Sequence, residues 1–456
     1  MRENIREAQR QDAASPFRAR LAEVLAASLS GPLPEATERR LHGRVSLPGK
    51  ATAVIGMRRA GKTTFLHQVR RERLARGIER DRLPFVGFED ERLAGMRAED
   101  LGLLLEEYYR GHPSYRGEKA VTWCFDEIQA VPGWERFVRR IIDSEKVEVF
   151  LSGSSAALLS RELATAMRGR AWEVVVHPFS FEEFLRHSGV SLPKRPGFVT
   201  APERSRLENA LLRYLLAGGF PEAQGLDEPT RLRLLGDYVD VAMLRDVVER
   251  HGVSNVSGLR WMVRHLLGNA AGLFSVEKFH RALTSQGMAI GKDTVHEHLS
   301  HLEDCFLVRT VWVDTSSERR RMVNPRKAYP VDPGLISVFD RTGRANLGHA
   351  LETAVFLELE RRRAEIRYVR TPGGLEVDFI ARHPGAGSEL IQVCADPGEP
   401  AVLERELAAL EEARKEYPKA TRRLVTLTRD AVPGTLPRGV EAVPAVEWLL
   451  EGGDGA

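Results

Sequence analysis

Apolar residues fall along this chain in two patterns. The first is a set of short, nearly continuous runs: Ala53-Val54-Ile55, Leu83 to Phe88, Val121 to Phe125, Val147 to Leu151 and Ala171 to Val176. Runs of this length, bounded by glycine or polar residues, predict strands, and unbroken ones suit a parallel sheet covered on both faces. The second pattern repeats every three to four residues. Phe17, Leu21, Val24, Leu25 and Leu29 predict a helix over 17–30, broken by Gly31-Pro32-Leu33-Pro34, and Phe65, Leu66 and Val69 predict another. Beyond residue 180 helical spacing dominates, with helices expected over 181–187, 203–216, 238–250, 259–267, 275–286 and 292–305. Strands are expected again at 306–313 and 327–331. A helix over 347–363, strands at 366–370, 375–381 and 389–393, and a helix over 401–414 follow. The fold class is therefore α/β, with a parallel-sheet core ahead of a helical middle and a second α/β region.

The strand at 53–55 runs into Gly56-Met57-Arg58-Arg59-Ala60-Gly61-Lys62-Thr63, which fits G-x-x-x-x-G-K-[ST], and the helix follows directly. Strand, glycine loop and helix in this order make a phosphate cradle. Gly56 and Gly61 allow the tight turn. The backbone through Arg58, Arg59 and Ala60 to Thr64 offers N–H donors, and Lys62 supplies a charge for the β- and γ-phosphates. Thr63 carries a hydroxyl suited to Mg²⁺. The implied cofactors are ATP and Mg²⁺.

About sixty residues on, Val121 to Glu127 reads VTWCFDE, an apolar strand ending in two carboxylates. Asp126 is expected to order Mg²⁺ and Glu127 to polarise the attacking water. The next strand ends at Ser152-Gly153-Ser154. Either serine suits sensing of a γ-phosphate, and either suits the cap of a helix over 156–166. Arg168 and Arg170 precede a further strand. Arg170 is the candidate for a finger reaching a neighbouring subunit's phosphate, with an ordinary surface arginine as the alternative.

Together the runs GMRRAGKTT, DEIQAVPGWE, SGSSAALLS with RGR, and HPFSFEEF, with AGGFPE at 217–222 and LEVDFI at 375–380, resemble a prokaryotic AAA-type P-loop ATPase family. That family's C-terminal half is a conserved region of uncharacterised function, and the resemblance spans residues ~45 to ~415. It implies an AAA-type core over 1–180, a helical lid over 181–257, a winged-helix region over 258–345 and a restriction-endonuclease-like domain over 346–456. It also implies a homo-oligomer, since fingers act in trans.

Helix, turn, helix and a basic hairpin over 258–345 form a DNA-reading geometry. Lys292, Arg319, Arg320, Arg321, Arg326 and Lys327 are the candidates for DNA phosphates. The rival is a protein-binding winged helix. His296, His298 and His301 on one helix are read as its outer face rather than as metal ligands. In the last region Glu352 on a helix, Asp378 on a strand and Gln392 on the next match the layout of a metal-dependent nuclease. The position where that layout needs lysine is Cys394, so the domain is expected to bind or assemble rather than cut.

Composition narrows the rest. A net charge of +3 among 456 residues does not make a nucleic-acid binder by itself, so that case rests on local patches. Three widely spaced cysteines suit a reducing, cytoplasmic setting. No apolar run approaches the ~18 residues of a membrane span. The expected function is a Mg²⁺-dependent ATP hydrolase coupled to DNA binding or remodelling. The alternatives are an ATP-dependent signalling or defence switch working through protein partners, and an ATP-gated nuclease.

Overall fold

The structure is a computed structural model that describes residues 15–153, 167–340, 346–395 and 400–451. It divides into two compact units, Met1–Val176 and His177–Ala456.

The first unit is a five-stranded sheet of β1 (Ala51–Ile55), β2 (Phe85–Gly87), β3 (Val121–Asp126), β4 (Val147–Ser152) and β5 (Ala171–Val175). The order is β2-β3-β4-β1-β5 and every pairing is parallel. Every residue of β1 is buried, as a central strand covered on both faces requires. The helix Lys62–Ala75 turns Phe65, Leu66 and Val69 onto this sheet, where they pack with Val54, Cys124 and Phe150. The pairing order fixes the site, because β4 lies between β1 and β3. The C-terminal ends of those three strands therefore sit side by side, where ligands gather in open α/β sheets.

The second unit begins with helices Phe181–His187 and Ala201–Ala217, close to the expected bounds. The first is fixed by a capping box, in which Ser180 and Glu183 satisfy each other's N–H groups. Glu228–Val241 continues into a wider turn over Ala242–Glu249. Three helices follow, Val256–Gly268, Val276–Ser285 and Lys292–Asp304, with Ser275 capping the second as expected. Beside them lies a three-stranded antiparallel sheet of β6 (Leu273–Phe274), β8 (Arg326–Pro330) and β7 (Val308–Val311), with β8 in the middle. The expected basic loop between β7 and β8 is instead a short helix, Glu318–Val323. Ser317 starts it by accepting from the Arg320 N–H at 3.3 Å. His298, expected on an outer face, is buried, so only part of that histidine row is accessible.

The C-terminal sheet joins β9 (Glu365–Arg370), β10 (Glu376–Arg382), β11 (Ser388–Cys394), β12 (Thr421–Thr426) and β13 (Val440–Pro444). Its order is β13-β12-β11-β10-β9. β9 to β11 run antiparallel, and β11 to β13 run parallel. The helix Leu347–Arg361 buries ten successive residues, Ala350 to Leu359, and its apolar ones join a core of this unit in which Phe356 lies beside Tyr329 and Phe379. The helix Pro400–Ala413 packs Leu410 and Ala413 with Val377 and Leu424 in a second core.

Candidate functional site

The loop after β1 needs its glycines. Gly56 has φ 144°, and a Cβ there would stand 2.2 Å from the Val176 carbonyl oxygen. Gly61, with φ 101°, precedes the first turn of the helix, and no side chain caps it. The helix therefore presents its positive end at the mouth of the loop, which favours an anion. Lys62 is buried and donates to the Gly56 carbonyl at 3.0 Å and the Met57 carbonyl at 3.2 Å. Its ammonium is thus held inside the curve of the loop. Arg58 and Thr64 are half-buried, Ala60 is buried, and Arg59, with φ 65°, is exposed.

Across the strand ends, the Thr63 hydroxyl donates to Asp126 Oδ2 at 2.9 Å. The two residues chosen for Mg²⁺ from separate motifs are therefore in contact. A hydroxyl and a carboxylate side by side are oxygen donors of the type this ion takes, so the residues present fit it. Burial pushes the Asp126 carboxyl upward, while hydrogen bonds from Ser152 and Thr63 and the charge of Lys62 pull it down. Ser152, at the end of the inserted β4, donates to Asp126 Oδ1 and accepts from the Glu127 N–H at 3.3 Å. One serine thereby ties both acidic residues to the strand beside the phosphate loop. Glu127 itself sits in the left-handed region at φ 51°, and Gln129 donates to its carboxylate. Ser154, the other serine considered, lies outside the described residues. Arg170 is partly exposed and pairs with Asp143 at 3.0 Å.

The sequence reading missed Arg39. It comes from an irregular stretch before β1, where no periodicity signals a role. It is buried, donates to the Ala60 carbonyl at 2.7 Å, and its own N–H donates to Gln68 at 2.7 Å. It braces the phosphate loop against the following helix.

In the second unit the structure brings together residues that the sequence kept apart. Glu352 on the helix Leu347–Arg361, Asp378 on β10 and Gln392 on β11 line one pocket, with the Asp378 N–H 3.3 Å from Gln392 Oε1. Into this cluster β8 projects Lys327, only 3% exposed. The reading of Lys327 as a DNA-phosphate contact is corrected. Its Nζ lies 2.8 Å from Glu352 Oε1, 2.7 Å from Asp378 Oδ1 and 2.9 Å from Glu376 Oε1. Strand geometry is the reason: successive side chains of β8 face opposite ways, so Arg326 and Lys327 cannot share a surface. Tyr329, two residues on and on the same face as Lys327, donates to Glu352 at 2.8 Å. Burial, added to the charge of Asp378, pushes the Glu352 carboxyl up to about 7. Burial works against the lysine, but Asp378, Tyr329, Glu352 and Glu376 outweigh it and hold the ammonium charged.

The other basic candidates are spread out. Arg319 and Arg320 are exposed on the short helix. Arg321 is tied to Glu318 at 2.8 Å, and Lys292 to Glu277 at 2.6 Å. Arg326 lies over the Trp312 ring, 3.6 Å from its centre. Among the described residues no helix is long and apolar enough to cross a membrane.

Comparison with known proteins agrees with the first unit's geometry. Residues 48–185 match the family model described as an AAA domain, and residues 208–345 match a domain of unknown function (DUF8612). An uncharacterised protein of Methanocaldococcus jannaschii is 33% identical over 375 residues, covering 81% of this chain and 80% of that protein. An uncharacterised protein of Haemophilus influenzae is 29% identical over 402 residues, covering 87% and 94%. Among solved structures, the Walker-type ATPase of Pyrococcus abyssi aligns with 71% of this chain and 95% of its own at 14% identity, with a TM-score of 0.39. The chain belongs to the family of the M. jannaschii protein, and its nucleotide-binding part is an AAA-type P-loop domain.

Proposed function

We propose that this protein is a Mg²⁺-dependent ATP hydrolase whose nucleotide state governs DNA binding or remodelling. The observation that carries the reading is the closed contact from Thr63 to Asp126 to Ser152 to Glu127, which joins the phosphate loop to the acidic strand end. Lys62 holds the β- and γ-phosphates, and the N–H groups from Gly56 to Thr64 cradle them. Thr63 and Asp126 hold Mg²⁺, which when bound neutralises charge on the phosphates. Glu127 orients the attacking water as its base, held in place through Ser152. Arg170 serves a neighbouring copy's site in a homo-oligomer, exchanging its exposed partner Asp143 for a phosphate.

The DNA part of the reading is supported by Arg319 and Arg320, both exposed on one short helix, with Lys292 and the arginine–tryptophan pair Arg326–Trp312 on other elements of the same unit. Phosphate contacts of this kind position a duplex without reading its sequence. Fluorescence anisotropy of labelled single-stranded, duplex and branched DNA over a salt series tests it. The log–log salt slope should fall by about 1 for each of Arg319→Ala and Arg320→Ala. An unchanged slope, or no binding at low salt, refutes the DNA role.

A second reading is supported by the same short helix, which leaves Met322 and Val323 78% and 74% exposed. Apolar side chains so placed suit a protein partner. A slow turnover that no DNA alters would favour this switch.

A further inference from the structure

A restriction-type nuclease layout implies a divalent metal ion among Glu352, Asp378 and Gln392, and the residues present do not fit one. An ammonium group has three donors, and Lys327 places one oxygen each from Glu352, Asp378 and Glu376 within 2.9 Å. A divalent ion bound by those carboxylates would stand about 2.0–2.6 Å from the same oxygens, which leaves no room for two cations at one centre. Part of the remaining ligand capacity is also engaged. Asp378 Oδ2 accepts from the Val393 N–H at 2.9 Å, and Glu352 Oε1 accepts a second bond from Tyr329. Gln392 uses its oxygen on the Asp378 N–H and its amide nitrogen on Glu406. Arg405, an exposed cation at the rim, reaches Glu406 at 2.5 Å.

We infer that Lys327 is the resident cation of this cluster, standing in the place of a metal ion and keying β8 of the three-stranded sheet to the helix and β10 of the C-terminal α/β fold. The lysine comes from outside the C-terminal sheet, so the cluster is an internal clasp between two parts of the second unit. An isolated buried carboxylate pair repels itself and is costly. A single ammonium shared among three carboxylates offsets that cost and fixes register between the elements that supply them. Two consequences follow. The pocket of about 470 Å³ that opens on Lys327, Glu352 and Asp378 takes no divalent ion, and the fold cleaves no phosphodiester there. This inference stands apart from the reading of the nucleotide site, since none of its residues lies in the first unit.

The test is Mn²⁺ binding to the nucleotide-free full chain, read from the free-ion electron paramagnetic resonance signal. Four proteins are compared: wild type, Asp378→Asn, Lys327→Met, and Lys327→Met combined with Asp378→Asn. The wild type should bind no more Mn²⁺ than Asp378→Asn. Lys327→Met, which removes the lysine's charge and keeps most of its volume, should gain one site about tenfold or more tighter than any in the wild type. The added Asp378→Asn should abolish it. Two results overturn the inference: wild-type binding that falls in Asp378→Asn, or a folded Lys327→Met that gains no site. Should Lys327→Met not fold, the comparison of wild type with Asp378→Asn decides, since equal uptake supports the clasp and reduced uptake refutes it.

Discussion

Replacing Lys62 by methionine isolates the charge of the phosphate loop. Methionine keeps most of the side chain's volume and removes the ammonium that now donates to Gly56 and Met57 at 3.0 and 3.2 Å. In the proposed complex with nucleotide, that ammonium exchanges carbonyl partners for phosphate oxygens. A hydrogen bond to a charged group contributes about 1.5–3 kcal/mol. The exchange starts from neutral carbonyls, so a net of about 2–3 kcal/mol, or roughly thirty- to one-hundred-and-fifty-fold in affinity, is expected to vanish. Stability should change little, because losing two carbonyl bonds is offset by no longer burying an ammonium. The assay is titration with a fluorescent ATP analogue, alongside thermal unfolding of the same samples. An affinity within threefold of wild type, at an unchanged melting temperature, would refute the placement of phosphate at this loop.

Two further outcomes follow from the fold. Gly56→Ala should destabilise the first unit by on the order of 3 kcal/mol, because φ 144° is strained for alanine and its Cβ would meet the Val176 carbonyl. Urea unfolding reads this directly, and nucleotide affinity should fall with it. Asp332 gives a pH dependence. Fully enclosed and accepting from the N–H groups of Gly219 and Gly334, it is pushed up to about 7 by burial. The folded form therefore keeps its proton from about pH 4 to about 7, where the unfolded form has lost it. The resulting stability is present at low pH and is lost as pH rises through 7, by up to roughly 4 kcal/mol. The urea midpoint should fall between pH 5 and 7.5 in wild type and fall less in Asp332→Asn; parallel curves for the two would contradict this.

What could be read from the chain was what is local. The phosphate loop is contiguous, and its neighbours announce strand and helix on either side, so Gly56 to Thr64 and the strand ending at Asp126 were legible. Pairing order was not. That β4 enters between β1 and β3, and so carries Ser152 onto Asp126 and Glu127, depends on contacts between segments far apart in sequence. Arg39 lay in a stretch with no period to read. Lys327 shows a different failure. Its neighbours are basic, and composition grouped it with them, yet strand alternation already required that Arg326 and Lys327 face opposite sides. Its destination, a carboxylate cluster built from residues 25 to 51 positions later, is a tertiary fact. The missing lysine of the nuclease layout at Cys394 was legible, and the lysine found in the cluster arrives from another strand.

In the proposed function, nucleotide chemistry in the first unit is coupled to DNA. The measurement that tests it most directly is Mg²⁺-dependent phosphate release by the full-length protein and by Glu127→Gln, each with and without single-stranded, duplex and branched DNA at two salt concentrations. Wild type should show turnover that one DNA form accelerates, with the acceleration weakening as salt rises. Glu127→Gln should bind ATP normally and release at least about a hundredfold less phosphate. Turnover that Glu127→Gln leaves intact would contradict the site, and turnover that no DNA alters would contradict the coupling.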